Sequence, residues 1–399
     1  MIQNIHRMKH KKNSIAGIHS CYGCGVCAIA CPKHIIDIIE NEDGFYEPCI
    51  VELEKCTHCG LCVSVCSFSH NDVSQDASPV FCGGAWSNET GVRKVSASGG
   101  AGFEIGRYLI NQGYKAIAVR YNTQQKRAEH YLATTVEEFL PSMGSKYIQS
   151  FTLDGFKHLN RKEKFLVTGT PCQIDSLRRY VRKMRCEDNV VLMDFFCHGV
   201  PSRHVWLKYL SEQEKVLGDI SYVGWRNKLN GWHDSWAMVL DGAKGVGEEI
   251  DWHDSYNMLI KEKKGFLNSR WTKGDSFYAM FLGNNCLGKS CYKHCKFKYA
   301  HSSADIRIGD MWGKTYQTNE KGVTACVAFT DKGVGILQHM PCEIVQYPFE
   351  QTAEGQIRQP IKYPKGWKLV IHLSKMPFVS MKSLVFFSRI VSKINSIFK

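Results

Sequence analysis

The sequence predicts two unlike units in one chain, a small α+β module near the N-terminus and a larger α/β domain after it. Two observations carry this. Cys21, Cys24, Cys27 and Cys31 follow the spacing C-x2-C-x2-C-x3-C, and the same spacing returns at Cys56, Cys59, Cys62 and Cys66. From about residue 95, short apolar runs alternate with helical stretches, as strands and helices do in turn. The 399 residues, 44% of them apolar, allow two or three domains with buried cores and exclude a wholly disordered chain.

Lys and Arg number 51 against 38 Asp and Glu, a net charge of +13, which biases the protein toward anionic partners. Nucleic acid is not an expected one, because no aromatic RNA-binding motif or zinc-finger helix signature accompanies the charge. No run of 18 apolar residues occurs, and the start, MIQNIHRMKHKKNSIAGIHS, is basic without the apolar stretch of a secretory signal. A cytoplasmic location is expected. Thiols stay reduced there, so the eighteen cysteines read as metal ligands, reactive thiols or core residues rather than a disulfide framework.

The duplicated run has a physical purpose. A 4Fe-4S cluster needs four thiolates converging from different directions, and three cysteines two residues apart let one tight loop supply three of them. The fourth comes from the other run: Cys66 is expected to complete the site of Cys21, Cys24 and Cys27, and Cys31 that of Cys56, Cys59 and Cys62. Cys31 and Cys66 are each expected to begin a helix, and Gly25 and Gly60 to permit the close turns. Zinc ribbons use paired cysteines instead. Residues 20–70 resemble the bacterial two-cluster ferredoxins, with Ser67 where a second proline is usual. Between the runs, IIDIIENEDGFYEPCI reads as two strands around a turn at Asp43 and Gly44, with Cys49 a buried apolar residue.

Residues 1–19 read as a basic tail and 71–92, polar and turn-rich, as a linker. Beyond it, YKAIAVR, FLVTG and VVLMDFF read as strands, two of them leading into helices. Gly99 and Gly100 of SASGGAGFEIGRYLI precede a helix and offer backbone N–H groups to an anion, although the dinucleotide pattern G-x-G-x-x-G is absent. Cys172 and Cys197 follow successive strands, where ligands collect in α/β sheets. Cys286, Cys291 and Cys295 lie within ten residues of one another. These five cysteines are candidates for a third four-thiolate site, as a cluster or as zinc. His198 is read as a proton donor or a fixed structural histidine, and Asp310 as a cofactor contact or a turn cap. Arg178, Arg179, Arg182, Lys183 and Arg185 form a basic helix face, for an acidic partner or for solvent.

SASGG, GSKYIQS, GTPCQIDSLR, CHGVPS and the cysteine-rich segment ending ADIRIGDMWG together resemble the coenzyme F-420 hydrogenase/dehydrogenase beta-subunit family over about residues 80–315. The resemblance implies an α+β ferredoxin-like dicluster module (20–70) fused to an α/β flavin- and iron-sulfur-binding domain with an N-terminal region (93–160) and a C-terminal region (161–350). It implies an oxidoreductase that binds FAD beside a third 4Fe-4S cluster and exchanges hydride with coenzyme F-420 or another small-molecule carrier, with a ferredoxin or other redox protein as partner. The flavin contacts it implies are Ser98, Gly99, Gly100, Lys146, Gly169 and Thr170. The cluster ligands it implies are Cys172, Cys197, Cys291 and Cys295, although His294 makes the last pair C-x3-C and leaves Cys286 as a substitute. A non-catalytic electron relay, and a reductase tied to surface-polysaccharide synthesis, are the alternatives.

Within the C-terminal segment 366–399, Met381, Leu384, Phe387, Val391, Ile394 and Phe398 recur at helical spacing with Lys382, Arg389 and Lys393 between them. This basic amphipathic helix is expected to pack on its own domain or to lie on the cytoplasmic face of an anionic membrane.

Overall fold

The computed structural model describes residues 13–244 and 267–397. It is a mixed α/β structure. Residues 1–12 of the basic tail, Phe398 and the side chain of Ile394 lie outside what is described.

The N-terminal module rests on a hairpin of β1 (Ile36–Glu40) and β2 (Tyr46–Ile50), paired antiparallel around Gly44, whose φ of 78° a glycine adopts without strain. Cys49 is half-buried on β2, not buried. Each cysteine run forms one short helix, Val26–Ala30 and Leu61–Ser64. Gly25 and Gly60 are the left-handed N-caps of these helices, at φ 75° and 74°; Cys31 follows the first without beginning another, whereas Cys66 follows the second and stands at the N-cap of the short 3-10 helix Ser67–Ser69, as expected.

The larger domain is built on a sheet of nine strands in the order β14-β3-β13-β12-β8-β7-β4-β5-β6. These are β3 (Phe81–Ser87), β4 (Lys115–Asn122), β5 (Arg127–Ala133), β6 (Ser150–Phe151), β7 (Phe165–Thr168), β8 (Val190–Phe195), β12 (Ile306–Asp310), β13 (Thr324–Ala328) and β14 (Cys342–Gln346). The central four, β12, β8, β7 and β4, run parallel. Both faces of such strands are covered, so FLV of β7 and VVLMD of β8 are buried without alternation. A second sheet, β9 (Ile220–Gly224), β10 (Ala237–Gly242) and β11 (Leu267–Arg270), packs with the Arg203–Leu217, Trp367–Lys375 and Met381–Ile397 helices around Trp206, Trp225 and Trp367.

The linker expected at 71–92 is not one. Its second half is β3, where Gly83 leaves room for the Val345 carbonyl of β14 and Gly84 for the Met311 and Val323 side chains, and Glu89 then stands just before the Thr90–Val95 helix. The first half crosses the Pro171–Met184 helix and is fixed there: Ser74 N donates to Asp175 at 2.6 Å, and the Ser74 hydroxyl to Ser303 at 3.1 Å. Three of the five cations on that helix are engaged in the same place, while Lys183 and Arg185 are exposed. Arg178 is buried against Asp305 at 3.0 Å, Arg179 pairs with Asp175 and Asp72, and Arg182 pairs with Glu187 and donates to Ser74 O.

One buried ion pair locks the centre of the sheet. Arg307 on β12 faces Asp194 on β8 in parallel register, and its Nε and Nη2 donate to the two carboxylate oxygens at 2.7 Å each. Both side chains are fully buried. Nη1 also donates to Tyr299 O and Nη2 to His301 O, so the pair also holds the segment that runs from Cys295 to β12. Arg307→Met, which strands a buried carboxylate, is expected to cost about 3–5 kcal/mol. The double variant Asp194→Leu/Arg307→Met is expected to recover part of that loss, both read as melting temperatures.

Candidate metal centre

Cys21, Cys24, Cys27 and Cys66 come together around the first turn. The left-handed Gly25 bends the loop where a side chain would run into Thr152. Burial pushes the Cys24 thiol up to about 11, with Cys66 adding to it. Burial raises Cys27 well above the usual thiol range, and the nearby sulfurs of Cys24, Cys21, Cys66 and Cys62 raise it further. Burial raises the Cys21 thiol too, and thiols that resist ionisation beside one another, as those of Cys21, Cys24 and Cys27 do, become thiolates only if a cationic centre offsets their repulsion.

Cys31, Cys56, Cys59 and Cys62 line one cavity, with Pro32, Ile36 and Ile50 among its walls. Burial raises the Cys62 thiol, and Cys31 and Cys59 add to it. Cys59 is exposed, so this group reaches the surface while the first is covered.

A third group gathers from three distant segments. Cys172 begins the Pro171–Met184 helix after β7, Cys197 follows β8, and Cys291 and Cys295 flank the end of the Lys289–Lys293 helix. Burial raises the Cys172 thiol well above its usual range, and Cys197, Cys291 and Cys24 raise it further. Burial, with Cys197 and Cys295, pushes Cys291 up to about 12. Lys298 opposes this at Cys197, and its Nζ holds the loop by donating to Cys197 O at 2.5 Å and His198 O at 3.1 Å. Cys286 stands apart: no other sulfur acts on it, and it points at Met280 O. Among the described residues, no three Cys, His, Asp or Glu form the tight group that a single metal ion requires.

Two residues that spacing did not single out join the first and third groups. Cys172 and Ser176 stand one turn apart on the same helix face. Ser176 Oγ accepts from Ser67 N at 3.0 Å and lies 3.3 Å from Cys24 Sγ, so its own proton is available to a thiolate there. Tyr22, inside the first loop, reaches the third group, and its hydroxyl donates to His294 O. Burial raises the Tyr22 phenol, and Cys172, Cys295 and Cys291 are among the groups that add to it.

The residues implied for flavin share the carboxyl edge of the sheet. Gly169 and Thr170 follow β7, and Asp310, which ends β12, lies opposite Thr324, against whose N the Gly99 backbone packs. Several of them already have partners within the chain. Ser98 Oγ donates to Val323 O at 2.7 Å, and Thr170 forms a capping box with Gln173. Lys146, which burial pushes down to about 7, donates to four carbonyls from Pro141 to Gly144. Asp310 accepts from Arg226 at 3.0 Å and from Trp232 Nε1 at 2.8 Å. His198 Nε2 lies 2.6 Å from Asn284 Oδ1, and burial lowers its pKa.

Residues 162–345 match the family described as the C terminus of the coenzyme F420 hydrogenase/dehydrogenase beta subunit, and residues 20–69 match the 4Fe-4S dicluster domain. Among solved structures, a chain of the F420-reducing [NiFe] hydrogenase complex from Methanosarcina barkeri is similar, with 15% identity and a TM-score of 0.43. The alignment covers 83% of this chain and 96% of that one. No curated protein matches the chain significantly.

Loss of a hydrogen bond to sulfur lowers a cluster's potential. Ser176→Ala is therefore expected to lower the midpoint of one cluster and leave the others in place, read by EPR-monitored redox titration. Cys286→Ser is expected to keep the full iron content, whereas Cys295→Ser loses about four irons per chain.

Proposed function

We propose, for a chain whose residues 162–345 match the C terminus of the coenzyme F420 hydrogenase/dehydrogenase beta subunit and whose residues 20–69 match a 4Fe-4S dicluster domain, a path of single electrons between a flavin and a protein partner. The family is one of oxidoreductases, and iron-sulfur electron transfer is the chemistry of the N-terminal module. The proposed ligands are Cys21, Cys24, Cys27 and Cys66 for one cluster, Cys56, Cys59, Cys62 and Cys31 for a second, and Cys172, Cys197, Cys291 and Cys295 for a third. The observation that carries the proposal is the convergence of the third set beside the first, with Cys172 and Ser176 on consecutive turns of one helix and Tyr22 between.

In this reading each part of the chain has a defined task. Lys298 and the Thr170 cap fix the two loops that carry Cys197 and Cys172. The Tyr22 ring packs edge-to-face on Phe68 and on Phe297 beside the first set. The second set is the outlet, because Cys59 is exposed and Val51 and Leu53 nearby are exposed as well, a surface on which a ferredoxin or other redox protein would dock. A flavin, when bound, turns two-electron hydride chemistry into single-electron transfer. Its place would be the carboxyl edge of the sheet, where Ser98, Gly99, Gly100, Lys146, Gly169 and Thr170 are the proposed contacts. The hydride carrier would be coenzyme F-420 or a nicotinamide.

One observation favours a second reading, a relay without flavin: Ser98, Lys146 and Thr170 have their polar atoms engaged within the chain. The test is anaerobic protein reconstituted with iron, sulfide and FAD, then exposed in turn to reduced F-420, NADH, NADPH and reduced ferredoxin. The proposal expects bound FAD that one of the hydride donors bleaches. Protein that retains no flavin after supplementation, yet takes electrons from ferredoxin, supports the relay instead.

A further inference from the structure

The C-terminal helices carry a surface that the electron path does not use. Between residues 355 and 399 there are nine lysines and arginines and no aspartate or glutamate, so this ninth of the chain holds most of the net charge of +13. The Trp367–Lys375 and Met381–Ile397 helices are anchored by their inner faces. Trp367, Val370, Ile371, Met381, Leu384 and Val385 are buried in the core around Trp206 and Tyr209, and Lys208 fixes the turn between the helices by donating to Met376 O and Val379 O at 2.7 Å.

Their outer faces carry apolar side chains among the cations. Phe378, in that turn, is 81% exposed, and Phe386 is 61% exposed. Leu369, Phe387 and Ile390 are also exposed. On the second helix Lys382, Phe386 and Ile390 recur every four residues, with Arg389 beside them, so charge and ring share one face. Scattered exposed side chains are ordinary, but large rings grouped on a face that carries lysines and arginines and no carboxylate are not.

We propose that this two-helix face seats on an anionic phospholipid bilayer, the phenylalanines entering the headgroup boundary and the lysines and arginines meeting lipid phosphates. Charge selects this occupant. A second copy would bring the same cations and be repelled, whereas anionic headgroups satisfy them over a plane wide enough for both helices. The helices lie on the surface and do not span it, because no helix among the described residues is long and apolar enough to cross. The inference stands independently of the cofactor assignments.

The test is sedimentation of the full-length, cluster-loaded protein with vesicles of phosphatidylcholine alone or mixed with phosphatidylglycerol, at low and physiological salt. Two variants accompany it, Phe378→Ser/Phe386→Ser and Lys382→Glu/Arg389→Glu. All four positions are exposed, and retained iron-sulfur absorption verifies that each variant folds. The expected result is binding to the anionic vesicles only, weakened about 10-fold or more in each variant and reduced by salt in the wild type. Equal binding to both lipid mixtures, or anionic binding that the phenylalanine variant leaves unchanged, overturns the proposal. So does the absence of vesicle binding by a protein whose same face is covered by an acidic protein partner.

Discussion

A single helical turn sets the spacing on which the site depends. Cys172 and Ser176 are four residues apart on a helix held rigid at its start by Pro171 and the Thr170–Gln173 capping box, so the third sulfur group cannot drift relative to Cys24. An electron path needs fixed distances more than it needs side-chain chemistry, and a capped helix is the stiffest short ruler a chain can offer. Where the helix leaves the third group it is clamped again: Asp175 accepts from Ser74 and Ser303, and Arg178 is buried on Asp305. The N-terminal module is thereby joined to the sheet through paired charges and bonded hydroxyls rather than through an apolar face alone.

This construction resolves a conflict of burial. Taking thiols out of water raises the cost of ionising them, and grouping them raises it again. The surrounding polar atoms answer that cost locally, through Lys298 beside Cys197 and Ser176 beside Cys24, while the Arg307–Asp194 pair keeps the strands beneath in register. Lys296 completes the seam, its Nζ donating to Ser67 O, His70 O and Asp72 O just after Cys66. The cations near the sulfurs bond to backbone carbonyls and leave the sulfur atoms themselves open to a metal.

Much of this was legible in the sequence, and the parts that were not share a cause. The doubled cysteine spacing, the hairpin around Gly44 and the strands FLVT and VVLMDF are local patterns, and local patterns report themselves through period and turn chemistry. β3 was hidden because FCGGAWS reads as turn-rich; its glycines serve close strand approach instead of a turn. Tyr22 and Ser176 look like filler between recognisable residues, since their partners, His294 and Cys24, lie 272 and 152 residues away. The arginine-rich helix face looked solvated for the same reason: Asp305 and Asp72, the partners of Arg178 and Arg179, come from distant segments. Cys286, close in sequence to Cys291, donates its thiol to Met280 O instead, a contact that spacing does not report.

The central claim is that the third sulfur group holds a cluster in contact with the two of the N-terminal module. Iron and acid-labile sulfide, determined per chain on protein reconstituted without oxygen, test it most directly. The account predicts about twelve irons and as many sulfides, falling to about eight of each in Cys172→Ala. A wild-type content of about eight, unchanged by that substitution, would contradict it.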